Sequence, residues 1–69
     1  MNLAEENIKV PQDVLIDVLA ILMKEELNYE IAEVLENRAV AVISIRIDRS
    51  KSRQIKAVQN IQQLLTSYA

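Results

Sequence analysis

The sequence of 69 residues contains no cysteine, no histidine and no glycine. Without cysteine there is no disulfide framework, and without both cysteine and histidine the zinc, haem and iron–sulfur sites that depend on these ligands are excluded. The common catalytic triads and dyads are unavailable for the same reason, and a chain without glycine cannot build a P-loop or a dinucleotide-binding fingerprint. We therefore expect no enzymatic activity, no metal centre and no cofactor.

Tryptophan and phenylalanine are also absent, and the only aromatic residues are Tyr29 and Tyr68. Stacking on nucleic-acid bases needs aromatic side chains, so nucleic acid is a disfavoured partner that the sequence does not exclude. The best apolar run, residues 14–23, is interrupted by Asp17 and is shorter than the roughly 18 residues of a membrane span. No membrane association is expected. The first nine residues are acidic where a secretory signal is basic, which predicts a cytoplasmic location.

The small size of the chain bears on its stability. A chain of this length buries only about 60% of its unfolded surface, and small domains that fold without disulfides or metals often depend on oligomerisation. The sequence therefore favours a homodimer.

The charges are unevenly distributed along the chain. Residues 1–36 contain nine acidic groups and two lysines, a sum of −7, whereas residues 37–69 contain six basic groups and one aspartate, a sum of +5. The favoured interpretation is that the two halves attract each other within the fold or across a dimer, and the alternative is an anion-binding surface.

The apolar spacing predicts two helices. Residues 1–8 carry no clear pattern and are predicted to be a flexible segment ahead of a single domain, residues 9–69. A first helix over residues 11–26 starts at Pro11 and is apolar in nearly every direction, which predicts burial from several sides. The segment 50–69 has apolar residues on one side only and predicts a second, amphipathic helix.

The segment between the helices fits a β-hairpin, although residues 28–37 also fit a helix. A turn at residues 36–39 sets Leu35 opposite Val40, with Asn37 as the residue suited to a left-handed conformation. This register predicts a helix-facing side with the pairs Val34–Ala41, Ala32–Ile43 and Glu30–Ile45. On the other side it predicts a Tyr29–Arg46 pair and a Glu33–Arg46 ion pair.

These elements give an α+β fold with an α-β-β-α protomer, in which an antiparallel hairpin packs on two helices. A two-stranded sheet is not stable alone in water, and its second side needs cover. The predicted partner surface is the outer side of the first helix together with Tyr29, Ile31, Leu35, Val40 and Val42. The preferred function is a small non-enzymatic interaction or adaptor module that binds itself, with another protein as a further candidate partner. Edge-to-edge and face-to-face association both remain open.

Two polar groupings are candidates for binding chemistry. Basic residues crowd the start of the second helix, where the helix dipole disfavours cations, and a bound phosphate or sulfate would offset this. The candidate anion site consists of Arg49, Ser50, Lys51, Ser52 and Arg53. The alternative is that these side chains extend into solvent or toward Glu25 and Glu26. Asp13 and Asp17, one helical turn apart, could bind Mg²⁺ or act as an acid–base pair, but solvated side chains are the favoured interpretation.

Residues 7–39, "NIKVPQDVLIDVLAILMKEELNYEIAEVLENRA", resemble a ribbon-helix-helix DNA-binding unit, with Ile8, Lys9 and Val10 as the ribbon. The resemblance implies an obligate dimer whose ribbon enters the major groove, with Lys9 in a base-reading role. It also implies a helix in the segment that otherwise fits the first strand of the hairpin. DNA binding is therefore the alternative function.

Overall fold

The computed structural model describes residues 3–68, which form a three-stranded antiparallel sheet and two helices. Strand β1 is Leu3–Pro11, and a 3₁₀ turn at Gln12–Val14 leads from it into helix α1, Leu15–Lys24. Strands β2, Asn28–Leu35, and β3, Val40–Asp48, are joined by a second 3₁₀ turn, Glu36–Arg38. Helix α2 is Ser52–Tyr68. Neither helix has the length and apolar content needed to cross a membrane.

Strand β3 lies at the centre of the sheet, with β1 and β2 at its two edges. Both edge strands are antiparallel to β3 and hence parallel to each other, so α1 crosses over β3 to connect them. This connectivity is the split βαβ arrangement. The predicted α+β fold is confirmed, whereas the predicted α-β-β-α protomer lacked a strand.

The missing strand is β1, in the segment that was predicted to be flexible. Residues 3–8 are extended and paired with β3 over their full length. Within β1 only Ile8 and Val10 are buried, so the two-residue apolar period is too short to be recognised without its partner strand. Residues 1–2 of the predicted flexible segment and residue 69 of the predicted domain lie outside the described residues.

Helix α1 begins and ends close to its predicted limits, but it is not buried on every side. Val14, Val18 and Leu22 face the core, whereas Ile16 and Met23 are 75% and 66% exposed. Two elements, the sheet and α2, pack against this helix among the described residues, as its apolar composition predicts, and its outer side is exposed in the single chain.

The end of α1 shows how a chain without glycine closes a helix. The N–H of Glu26 donates to the carbonyl of Met23 at 3.2 Å, and that of Leu27 donates to the carbonyl of Leu22 at 3.0 Å. This pair of bonds is the Schellman motif, and it requires a left-handed residue where glycine is usual. Glu26 takes that conformation, with φ at 55°.

Residues 28–35 form a strand, so the alternative helix over residues 28–37 is not present. The predicted register holds beside the turn, where Leu35 faces Val40, Val34 faces Ala41 and Glu33 faces Val42. A β-bulge at Ala32 then shifts the pairing by one residue. The predicted Ala32–Ile43, Glu30–Ile45 and Tyr29–Arg46 pairs were therefore wrong.

The four-residue turn is present, but its left-handed residue is Ala39 rather than Asn37. Ala39 has φ 53° and ψ 46°, and its N–H closes the turn by donating to the carbonyl of Glu36 at 3.2 Å. The residue after the 3₁₀ turn takes the left-handed conformation because the chain reverses there into β3. This residue is Ala39, whose single methyl group is the smallest side chain in a sequence without glycine.

The ribbon-helix-helix resemblance does not extend to the fold. Its second helix would occupy the segment that forms β2, and its ribbon, residues 8–10, is the middle of β1 paired with β3 of the same chain. Lys9 is exposed in this strand. DNA binding itself stays a prediction.

The core lies between the sheet and the helices. Strand β3 contributes the predicted set Ala41, Ile43, Ile45 and Ile47, all buried. Helix α2 packs onto the sheet with Ala57, Val58 and Ile61 and exposes its glutamine-rich side, which confirms the predicted amphipathic helix.

Candidate interaction surface

The five residues predicted as the partner surface do not form one patch. Tyr29 and Ile31 face Ile45 and Ile43 of β3, so their side chains project on the helix side of the sheet. The other three predicted residues, Leu35, Val40 and Val42, project on the opposite side, which we call the open face. The bulge at Ala32 causes this division, because an extra residue in one strand moves every side chain beyond it to the other face.

Five large apolar side chains are exposed on α1 and on the helix side of β2. Ile21 of α1 lines a groove together with Ala57 and Asn60 of α2. Leu19 and Met23 lie on the opposite flank of α1 because of the helix period, so that flank is turned away from α2. We call the exposed set the α1–β2 surface; it consists of Ile16, Met23, Tyr29, Ile31 and Val34, which are between 36% and 75% exposed.

Val34 was predicted to lie under the helices, and it does project on their side of the sheet. It is nevertheless 60% exposed, because β2 is the outer strand and α1 does not extend over it at this point. The position of a strand within its sheet is not encoded in its own alternation pattern.

Acidic side chains border the α1–β2 surface. Glu26 lies in the turn between α1 and β2, and Glu30 and Glu33 project from the β2 edge strand onto the open face. Asp13 lies on the α2 side of the molecule, where it is bonded to Tyr68. The two lysines of the acidic half are on β1 and at the end of α1. The border of this apolar surface is therefore negatively charged.

The open face carries a polar network across β1 and β3. The Ser44 hydroxyl donates to Glu5 Oε1 at 3.0 Å, and Arg46 Nε lies 4.0 Å from Glu5 Oε2. The predicted Glu33–Arg46 ion pair was wrong, since Glu33 faces Val42 and Arg46 is paired with Glu5 of the strand that the sequence did not reveal. With both side chains more than half exposed, the ion pair contributes little to stability.

The predicted anion site is partly occupied by the protein's own carboxylates. The N–H and the hydroxyl of Ser50 both donate to Asp48 Oδ1, at 2.9 and 2.6 Å, and these bonds lower the pKa of Asp48. Gln54 Oε1 accepts from the N–H of Asp48 at 2.7 Å. Arg53 donates to Glu25, with Nε 3.2 Å from Oε2.

All five predicted anion ligands, Arg49, Ser50, Lys51, Ser52 and Arg53, are exposed around this turn, and Ser50 and Arg53 are those bonded to the carboxylates. The structure thus agrees with the alternative in which a basic side chain reaches Glu25. Together with the Arg46–Glu5 pair, it also supports attraction between the acidic and basic halves within one chain.

Of the predicted aspartate pair, Asp17 lies in α1 and Asp13 in the 3₁₀ turn before it, where Asp13 is engaged by another side chain. Asp13 accepts a hydrogen bond from the Tyr68 hydroxyl at 2.5 Å, which ties the start of the α1 segment to the end of α2 and raises the pKa of Tyr68. Across residues 3–68, no three acidic side chains come together as a metal-binding group.

Comparison with known proteins finds no matching family model, no similar curated protein and no similar solved structure. The surfaces of the chain itself are therefore the basis for a functional proposal.

Proposed function

We propose that the protein is a small, non-enzymatic interaction module that acts as a homodimeric adaptor in the cytoplasm, and that it binds a protein partner through the α1–β2 surface. The observation that carries the proposal is the exposure of this apolar set. A contiguous apolar patch on a small soluble domain commonly marks a binding site for another macromolecule.

The composition of the surface suits a protein partner. Tyr29 and Met23 are of the residue types enriched in interfaces, and within residues 3–68 the outer edge of β2 is unpaired. Aromatic and thioether side chains supply contact area with adaptable packing. The acidic residues elsewhere are engaged in structural contacts, as for Asp13 and Glu25, which supports a non-enzymatic role.

The acidic border indicates the chemistry of the partner. An apolar patch with Glu26 beside it, and with Glu30 and Glu33 on the other face of the same edge strand, attracts a surface whose apolar residues are flanked by lysine or arginine, and it repels a second copy of itself. The partner that binds here is thus an apolar-faced, basic protein segment.

The test uses two substitutions in the surface and one matched control. Ile16→Glu and Val34→Glu each place a charge on a highly exposed apolar position, so neither change disturbs the core. Gln63→Glu adds the same charge on the solvated side of α2. Proteins captured from the source lysate in the presence of nuclease are purified. Their affinities for the wild-type chain and for each of the three variants are then measured.

A partner whose affinity falls by about tenfold or more with Ile16→Glu and Val34→Glu, and is unchanged with Gln63→Glu, supports the proposal. Capture that is indifferent to both surface substitutions, or that disappears with nuclease, overturns it.

A further inference from the structure

Strand β1 has one unpaired edge, since only β3 lies beside it among the described residues. An unpaired edge presents a row of backbone N–H and carbonyl groups that can pair with another strand. This edge is longer than that of β2, with nine residues against eight, and the pairing of β1 with β3 contains no register shift.

We infer that the occupant of this edge is β1 of a second copy of the chain, in antiparallel register with Asn7 opposite Asn7. The inference rests on the homodimer of the proposed function and specifies its interface. The result is a six-stranded sheet with β1 of each copy at the centre.

Charge complementarity supports this register. With Asn7 on the two-fold axis, Glu5 of each copy lies opposite Lys9 of the other, on the open face, so that two ion pairs form. The Glu5 carboxylate is already held on that face by the Ser44 hydroxyl at 3.0 Å.

The same register also pairs the whole strand. Asn7 is the midpoint of Leu3–Pro11, so all nine residues of one copy face all nine of the other. Leu3, which is 64% exposed in the single chain, then lies opposite Pro11, and Ala4 lies opposite Val10 on the helix side. Pro11 lacks an N–H, but it is the last residue of the strand and costs the ladder at most one bond.

Pairing the edge of β2 with β2 of a second copy in the same way brings like charges together. Full antiparallel pairing of Asn28–Leu35 with its copy places Glu30 directly opposite Glu33, twice, and like charges in this position are destabilising. The bulge at Ala32 further disrupts a regular edge. Of the two edges, β1 attracts its own copy and β2 repels it.

In this register, Glu5 of each copy lies opposite Lys9 of the other, so exchanging the charges at these two positions tests the interface. Lys9→Glu and Glu5→Lys are made separately and studied alone and as an equimolar mixture, by sedimentation and native mass spectrometry at low ionic strength. Lys56→Glu, an equal charge change on the exposed side of α2, is the control. Hydrogen exchange of the β1 amides is followed in parallel.

We expect a wild-type dimer, with the dissociation constant of each single variant raised on the order of 30-fold because two attractive pairs become repulsive. The mixture of the two variants restores dimers as one-to-one heterodimers, in which both pairs are again Glu with Lys. The Lys56→Glu chain dimerises like wild type, and alternate β1 amides are protected only in dimers.

A wild-type dimer that is unaffected by either β1 substitution overturns the inference and leaves the homodimer in place. A wild-type chain that stays monomeric at high concentration overturns both the inference and the homodimer. Binding of another protein at the α1–β2 surface is tested independently of either result.

Discussion

The one-sided burial of α1 can be tested with two neighbouring residues, Leu22 and Met23. They are adjacent in the same helix and similar in volume, but Leu22 is fully buried against the sheet and Met23 is 66% exposed. If α1 were buried from several sides, as its sequence suggests, replacing either Leu22 or Met23 by alanine would lower the stability strongly. The structure makes only one of them costly.

The magnitude follows from burial. Replacing a fully buried leucine by alanine costs about 2–5 kcal/mol, from lost transfer free energy and the cavity that remains. A domain of 69 residues has a total free energy of unfolding of roughly 3–10 kcal/mol. Leu22→Ala therefore removes a large part of the stability, whereas Met23→Ala stays within about 0.5 kcal/mol of wild type because the side chain is mainly in water.

Urea denaturation followed by circular dichroism measures both variants. If Leu22→Ala does not fold, Val18→Ala replaces it, since Val18 is equally buried and its smaller truncation costs about 2 kcal/mol. A loss of more than about 1.5 kcal/mol for Met23→Ala, measured in the monomer, would refute the placement of α1 as a helix with one buried side.

Two further predictions concern the hairpin and the turn before α2. Deleting Ala32 removes the bulge and leaves Ile31 and Glu33 adjacent with their present partners, so the loss of stability in urea should stay below about 1 kcal/mol. Deleting Ser44 from the regular central strand β3 instead moves every side chain beyond it to the other face and should abolish folding. Asp48 has a lowered pKa because Ser50 donates two hydrogen bonds to it, so its contribution is present above about pH 4 and is lost as the pH falls through the folded-state pKa. Asp48→Asn should accordingly lower the urea midpoint at neutral pH, and the difference from wild type should shrink as the pH falls through the folded-state pKa of Asp48; a difference that does not change with acidification would contradict this assignment.

The elements with a strong apolar period were predictable from the sequence. The alternation of Ala41, Ile43, Ile45 and Ile47 fixed the buried side of β3, and the spacing on α2 fixed its packing side. The four-residue turn followed from the facing pair Leu35–Val40. In each case the signal repeats several times within one element, and local sequence is sufficient to recognise it.

Strand β1 and the bulge depend on partners outside their own sequence. In β1 two buried residues, Ile8 and Val10, alternate with charged and polar ones, which is the weak pattern of a half-buried edge strand. The bulge also had a signal in the sequence, which is missed when β2 is assumed to alternate without interruption. Glu30 and Glu33 can both face water only if an extra residue separates them, and the same shift brings Tyr29 and Ile31 to the helix side.

The distribution of charge assigns different partners to the two ends of the sheet. In the proposed dimer the strand order is β2-β3-β1-β1-β3-β2, so the two β1 edges are joined and the two α1–β2 surfaces lie at opposite ends. Each surface keeps its acidic border, which prevents the ends from joining further copies and forming an open-ended fibre. The dimer therefore presents two equivalent binding surfaces at a fixed separation. Two linked sites bind a clustered or repeated partner far more tightly than one site does, which is the physical advantage that dimerisation through β1 gives to an adaptor of this size.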